Sequence, residues 1–187
     1  KINRTDMKDG CYSGVAIGKG DTSICEKIQD KDTKTECISQ AKSVAQMRNA
    51  IEKNDYRLCG GIPEAWQASV CYSTIGISKN DINICSMAPN SQARDDCYEK
   101  VAINTSNPDI CGEISEDHRD LCYSFVAEKI SDPSLCAKMT QTWNNFKDIC
   151  YAQVAEKTKD PSLCEKIEDK SGSGWKQHCY ASTGKLW

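Results

Sequence analysis

Thirteen cysteines and two histidines are the residues of this 187-residue chain whose types lend themselves most readily to chemistry. Thiols support redox exchange, metal ligation and nucleophilic attack. Exchange of the thioredoxin kind and haem attachment both require Cys-x-x-Cys, which does not occur. Zinc needs ligands that converge on one ion, whereas these cysteines are evenly dispersed and only His118 and His178 accompany them. No metal and no cofactor is therefore expected. His178 precedes Cys179 and would suit activation of a thiolate, but Cys179 occupies a repeat position whose other members all read as structural.

The acids and glycines offer no better start. Asp95-Asp96 would serve as an acid and base pair, yet Asp9, Asp120 and Asp148 recur at the same place, where a helix dipole welcomes negative charge. The expectation is helix capping. Ser-Gly-Ser-Gly within 170–175 lacks the strand before it and the Lys-Ser/Thr after it that a phosphate-cradling loop needs, and reads as a flexible connection. No catalytic residue is assigned, and the chain is expected not to be an enzyme.

The elements that position these cysteines emerge from the cysteines themselves, which alternate strictly between two types. Cys11, Cys37, Cys71, Cys97, Cys122, Cys150 and Cys179 form the first, and all but Cys37 are followed by Tyr. Cys25, Cys59, Cys85, Cys111, Cys136 and Cys164 form the second, each preceded by Ile or Leu. Around the first type, Cys122 with Val126 and Cys150 with Val154 are i, i+4 pairs, as are Tyr123 with Ala127 and Tyr151 with Ala155. That periodicity predicts a helix, A. A base stands three residues before this cysteine at Lys8, Lys34, Arg94, Arg119, Lys147 and Lys176, as on a solvated helix edge.

The second type opens a shorter helix, B. Asp21, Asp55, Asp81, Asn107, Asp132 and Asp160 stand four residues ahead of the cysteine as N-caps, with Pro next in three repeats. Ile28, Ile62, Ile114, Met139 and Ile167 follow three residues after it, so B presents a small Leu, Cys, Ile face for burial. The fold expected is all-α: disulfide-stapled αα-hairpin repeats forming a solenoid-like array in one domain, residues 1–187. Its units are approximately 11–36, 37–70, 71–96, 97–121, 122–149 and 150–178, with a terminal half unit at 179–187.

Two pairing registers are open: each A with the B after it, or each B with the A after it. From A to the following B the gap is 14 residues in five repeats but 22 between Cys37 and Cys59, where Ala45 to Lys53 continues helix A. Eight extra helical residues displace the partners by about 12 Å, beyond the roughly 7 Å Cα separation that a disulfide tolerates. From B to the following A the gaps are 12, 12, 12, 11, 14 and 15. The second register is preferred: Cys25 with Cys37, Cys59 with Cys71, Cys85 with Cys97, Cys111 with Cys122, Cys136 with Cys150 and Cys164 with Cys179. In the alternative, the constant 14 marks a bonded hairpin and the insertion is a bulge. The preferred register leaves Cys11 over, for an intersubunit bond, a partner in an upstream segment, or a free thiol.

Composition places this array outside the reducing cytoplasm. Cysteine at this density persists only where disulfides do, so an extracellular or cell-surface location is expected. Two Phe and a mean hydropathy of −0.62 imply a thin core that disulfides must supplement. No apolar run of 18 residues occurs, so membrane insertion of these residues is not expected. Asn3-Arg4-Thr5 and Asn104-Thr105-Ser106 are glycan acceptor patterns at Asn3 and Asn104. A net charge of −3 with interleaved signs argues against nucleic acid or an anionic membrane as partner.

Cys-Tyr-x-x-Val-Ala followed by Asp-Pro-Ser-Leu-Cys-x-Lys-Ile resembles the short cysteine-helix repeats of uncharacterised archaeal and related prokaryotic surface proteins, over residues 8–180 and most clearly 119–167. That resemblance implies an envelope setting and no activity. The architecture is distantly similar to Sel1-like cysteine-rich hairpin repeats, which are longer and paired differently.

Two functions suit such a chain. One is a structural subunit of a surface filament or other envelope assembly, with copies of itself as partner, because the repeats begin and end on an A helix without a polar cap. The other is a secreted monomeric binding or adhesion module using its concave face or the tryptophans. Trp66, Trp143 and Trp175 lie near B-to-A loops and Trp187 at the end, as candidate contacts or as lids over the hairpins.

Overall fold

The computed structural model describes residues 4–140, 145–169 and 172–184, and among them it contains helices and turns but no strand. Seven longer helices alternate with six single-turn elements. The long ones are α1 (Arg4–Lys19), α3 (Lys31–Glu52), α4 (Ala65–Lys79), α6 (Ser91–Thr105), α7 (Glu116–Ile130), α9 (Phe146–Thr158) and α10 (Trp175–Thr183). Between them lie α2 (Thr22–Cys25), η1 (Tyr56–Gly61), α5 (Ile82–Ser86), η2 (Pro108–Glu113), α8 (Ser134–Ala137) and η3 (Pro161–Lys166). These are the A and B elements of the repeat. The 22-residue α3 runs unbroken through the insertion after Cys37.

Every junction from A to B is built alike. The residue before the B-turn cap adopts the left-handed conformation: Gly20, Asn54, Asn80, Ser106, Ser131 and Lys159, with φ between 50° and 69°. The next N–H then reaches back five residues to the carbonyl of Ala16, Ala50, Gly76, Ala102, Ala127 or Ala155, at 2.9–3.1 Å. This reverses the chain at once and satisfies a helix-terminal carbonyl, as in a Schellman motif. The caps then act as their positions predict. Asp21, Asp55, Asp81, Asn107, Asp132 and Asp160 accept the backbone N–H two residues on, at 2.9–3.2 Å.

The B elements are tighter than the sequence suggests. In all six, the N–H three residues after the cysteine donates to the cysteine carbonyl, the i to i+3 bond of a 3₁₀ turn. With only one turn to form, the shorter ring closes before an α-helix can propagate. The apolar face is buried at Ile28, Ile62, Ile84, Ile110, Ile114, Leu135, Met139, Leu163 and Ile167, but Leu58 is 39% exposed.

The chain divides into two compact units, Lys1–Cys97 and Tyr98–Trp187, where the sequence had suggested one domain. In the first, α1, α3 and α4 pack in chain order. One cluster joins Ala16, Cys25, Ile28, Cys37 and Ala41; another joins Ala50, Cys59, Ile62, Ala68, Cys71, Ile75 and Ile84. Each hairpin thus covers the Cys face of the A helix that follows. In the second unit α7, α9 and α10 pack in the same order, with Val126 and Val154 wholly buried.

Candidate functional site

The six disulfides join each B turn to the next A helix. Cys25 pairs with Cys37, Cys59 with Cys71, Cys85 with Cys97, Cys111 with Cys122, Cys136 with Cys150, and Cys164 with Cys179, at Cα separations of 5.6–5.8 Å. All twelve sulfurs' residues are fully buried. Cys179 is thereby closed to the thiolate chemistry that His178 would have assisted. Six intrachain disulfides are the mark of a protein that matures outside the reducing cytoplasm.

Two sets of polar contacts reinforce several of the staples. Asp9, Asp120 and Asp148 are buried, and the partners of their carboxylates lie a repeat away. Asp9 accepts from Gln29 N and Asp30 N at 3.1 and 3.0 Å, Asp120 from Thr140 N at 3.1 Å, and Asp148 from Glu168 N and Asp169 N at 3.0 and 2.9 Å. The capping role expected of them is corrected accordingly: Asp9 and Asp120 lie beyond the first turn, and all three carboxylates hold the loop leading to the next A helix. Ser69 takes this place in α4 and accepts from Asn90 N at 3.0 Å. Asp95 is buried at the equivalent position.

The bases three residues before the A-type cysteine also do more than line a solvated edge. Arg94 donates to the carbonyl of Ala88 at 3.1 Å and Arg119 to that of Ile114 at 3.2 Å. Lys34 pairs with Glu26 at 2.7 Å and Lys176 with Glu165 at 3.6 Å. Each ties its helix to the B turn at the far side of the disulfide. Further cations clamp the other end of the hairpin: Arg48 donates to the carbonyls of Gly18 and Lys19, Lys129 to those of Ile103 and Asn104, and Lys157 to those of Glu128 and Lys129. Positive charge at a helix C-terminus is favourable in itself.

At three of the B-turn caps, a facing hydroxyl or guanidinium lowers the acid's pKa. The Ser23 hydroxyl holds Asp21 below the ordinary aspartate value, the Arg57 guanidinium does so for Asp55, and the Ser162 hydroxyl for Asp160. The Tyr180 hydroxyl is held above its ordinary value by its hydrogen bond to the Glu165 carboxylate. Burial does the same for Tyr151.

Trp66 and Trp175 lie in the first turns of α4 and α10, directly after the B-to-A connections. Trp66 is 63% exposed. Trp175 meets His178 edge to face at 5.6 Å beside Ser173 and Gly174, forming a shallow cleft. Trp143 and Trp187, like Asn3, lie outside the described residues. Asn104 is exposed in the last turn of α6. Among the described residues no helix is long and apolar enough to cross a membrane, and no cluster of three His, Cys, Asp or Glu could hold a metal ion.

One helix face stands apart. Cys11 is exposed and unpaired, and on either side of it in α1 Met7 is 66% and Val15 43% exposed. The residues equivalent to Val15 in later A helices, Ala41, Ile75, Val101, Val126 and Val154, are at most 1% exposed. Gly10, Gly14 and Gly18 share the face, all exposed, and a Cβ at any of them would meet nothing within 4 Å. The sequence singled out Cys11 by arithmetic but not this surround, whose signal was the spacing 7, 11, 15 beside 10, 14, 18. No protein-family model, curated protein or solved structure matches the chain.

Proposed function

We propose that the chain is an extracellular structural repeat protein, a subunit that assembles with copies of itself into a surface filament or other envelope assembly. The observation that carries this reading is the exposed apolar face of α1: Met7 and Val15 are 66% and 43% exposed, whereas Ala41 and Ile75, at the position of Val15 in α3 and α4, are buried. Exposed apolar surface of that kind favours contact with another molecule. The disulfides and clamped helix ends suit a durable extracytoplasmic component, and the resemblance to prokaryotic surface repeats points the same way. Catalysis is no part of this reading, and a glycan on the exposed Asn104 would be compatible with it. Light scattering and negative-stain microscopy without reductant test it: defined oligomers or fibres are expected, and a monodisperse monomer at high concentration would sink it.

Trp66 favours a second reading, a monomeric binding or adhesion module, because a tryptophan 63% exposed at a helix start is an available contact. Titration of soluble glycans against its fluorescence, with Trp66→Ala as control, tests that alternative. No saturable change in the native protein would count against it.

A further inference from the structure

We propose that Asn104 carries an N-linked glycan whose first sugar ring lies in the groove between α6 and α7, with its C–H face over Phe125. The inference rests on the extracytoplasmic setting in the reading above and is independent of self-assembly.

Two rules of the repeat break here side by side. The residue three after the A-type cysteine is Gly14, Gln40, Thr74, Lys100, Gln153 or Ser182, polar or without a side chain. In α7 it is Phe125, 37% exposed. Seven residues after the cysteine, Lys129 of α7 and Lys157 of α9 clamp the end of the preceding helix. The residue at that position in α6 is Asn104, which opens the acceptor tripeptide Asn104-Thr105-Ser106. Asn104 and Thr105 are exposed, and Ser106 stands in the left-handed turn that ends α6.

The two departures meet in one groove. Lys100 and Ile103 of α6 and Phe125, Glu128 and Lys129 of α7 line a space of about 460 Å³, all within the second unit. Lys129 Nζ donates to the carbonyls of Ile103 and Asn104, which sets the Lys129 and Asn104 positions side by side. Phe125 lies one turn before Lys129, as Lys100 lies one turn before Asn104, so a sugar on Asn104 has about one helical pitch, roughly 5.4 Å, to cross. Side chains on a helix lean toward its N-terminus, which is the direction of that crossing. A pyranose ring presents apolar C–H groups on a face and hydroxyls at its rim. Phe125 and Ile103 offer a matching apolar floor, and Lys100, Glu128 and Lys129 offer donors and an acceptor to the hydroxyls. Lys100 already pairs with Glu99 at 2.8 Å and Lys129 with backbone carbonyls, so the groove suits a neutral polar occupant and not an anion.

Attachment is a group transfer from an oligosaccharide carried on a lipid phosphate. Asn104 Nδ2 bonds to the anomeric carbon of the first sugar, the bond from that carbon to the phosphate oxygen breaks, and the lipid phosphate leaves with the electron pair. The amide nitrogen loses one proton, and nothing is oxidised or reduced. A transferase of the exporting cell supplies the catalysis. This chain supplies the acceptor and the seat.

The test is secretion of the full chain, with Asn3→Gln to isolate the second acceptor, from cells that have an N-glycosylation pathway, read by intact mass and peptide mapping. A species heavier than the 20.8 kDa chain is expected, with sugar mapped to Asn104 and lost in Asn104→Gln. An exported chain with its disulfides formed and Asn104 bare overturns the proposal and leaves the extracytoplasmic setting standing. A chain retained in the cell without its disulfides counts against both. The seat is read on the glycoprotein itself. Nuclear Overhauser contacts between the Phe125 ring and the C–H protons of the first sugar are expected, and their absence overturns the placement. Enzymatic removal of the glycan should lower Tm by about 2–4 °C in the parent and leave Phe125→Ser unchanged. Equal shifts in the two would mean that the sugar acts without the groove, which also overturns it.

Discussion

Replacing Asp148 by alanine should cost the second unit about 3–5 kcal/mol. The carboxylate is 7% exposed and accepts Glu168 N and Asp169 N at 3.0 and 2.9 Å, across a separation of 20 and 21 residues. Hydrogen bonds to a charged acceptor contribute about 1.5–3 kcal/mol each, and deleting the acceptor strands two donors in a site with little water. Asp148→Asn keeps one acceptor oxygen and should lose roughly half as much. The exposed Asp96 on α6 provides a control expected within about 0.5 kcal/mol of the parent on replacement by alanine. Urea unfolding with the disulfides intact measures the totals. Amide exchange at Glu168 and Asp169 reads the site itself and should accelerate selectively in Asp148→Ala. A loss under about 1 kcal/mol together with unchanged exchange at those two amides would refute the reasoning, because the buried carboxylate would then not be holding the loop.

Acid should loosen some B turns and spare one. Asp21, Asp55 and Asp160 have lowered folded-state pKa values, so their contribution is present above the ordinary value of 3.8 and is lost as pH falls through the folded value. Asn107 holds the same position without titrating, so amide exchange in η2 should stay steady below pH 3.8 while α2, η1 and η3 loosen. Equal loosening of all four turns would count against the capping account. Gly76→Ala should destabilise by about 1–3 kcal/mol in thermal melts, because its Cβ would lie 2.8 Å from Cys85 Sγ and 3.1 Å from Cys97 Sγ. Gly14→Ala should instead leave the monomer unchanged or raise its stability by up to about 1 kcal/mol, having nothing within 4 Å. Removing the Cys59–Cys71 staple with a double alanine substitution should cost about 3 kcal/mol in denaturant unfolding. A loss confined to a few tenths would mean that packing alone closes that loop.

The staples were legible in the sequence because their positions carry types: Tyr after one cysteine, Ile or Leu before the other, and Asp or Asn at the cap. The insertion after Cys37 distinguished the two registers by arithmetic, since a continuous helix turns residues into distance. The polar fastenings were not legible, for a physical reason. Asp148 and its donors are separated by 20 and 21 residues, so local reading assigned the carboxylate to the nearest helix dipole. Arg94 and Arg119 looked like a wet edge because their partners are backbone carbonyls, which carry no residue type. The left-handed junctions escaped for a similar reason: Gly20, Asn54, Ser106 and Lys159 share a conformation and no side-chain chemistry.

The long α3 has a consequence for how the chain acquires its bonds. Joining each A-type cysteine to the B-type cysteine after it would pair Cys11 with Cys25, 14 residues apart, and would run one cysteine out of frame with the pairs observed. The next out-of-frame pair is Cys37 with Cys59, and the unbroken helix from Lys31 to Glu52 separates those two by about two extra turns. The slipped frame therefore cannot close its Cys37–Cys59 pair in the folded chain. The eight-residue interruption of an otherwise regular repeat thus leaves one frame of pairing that the folded helices can close at every repeat.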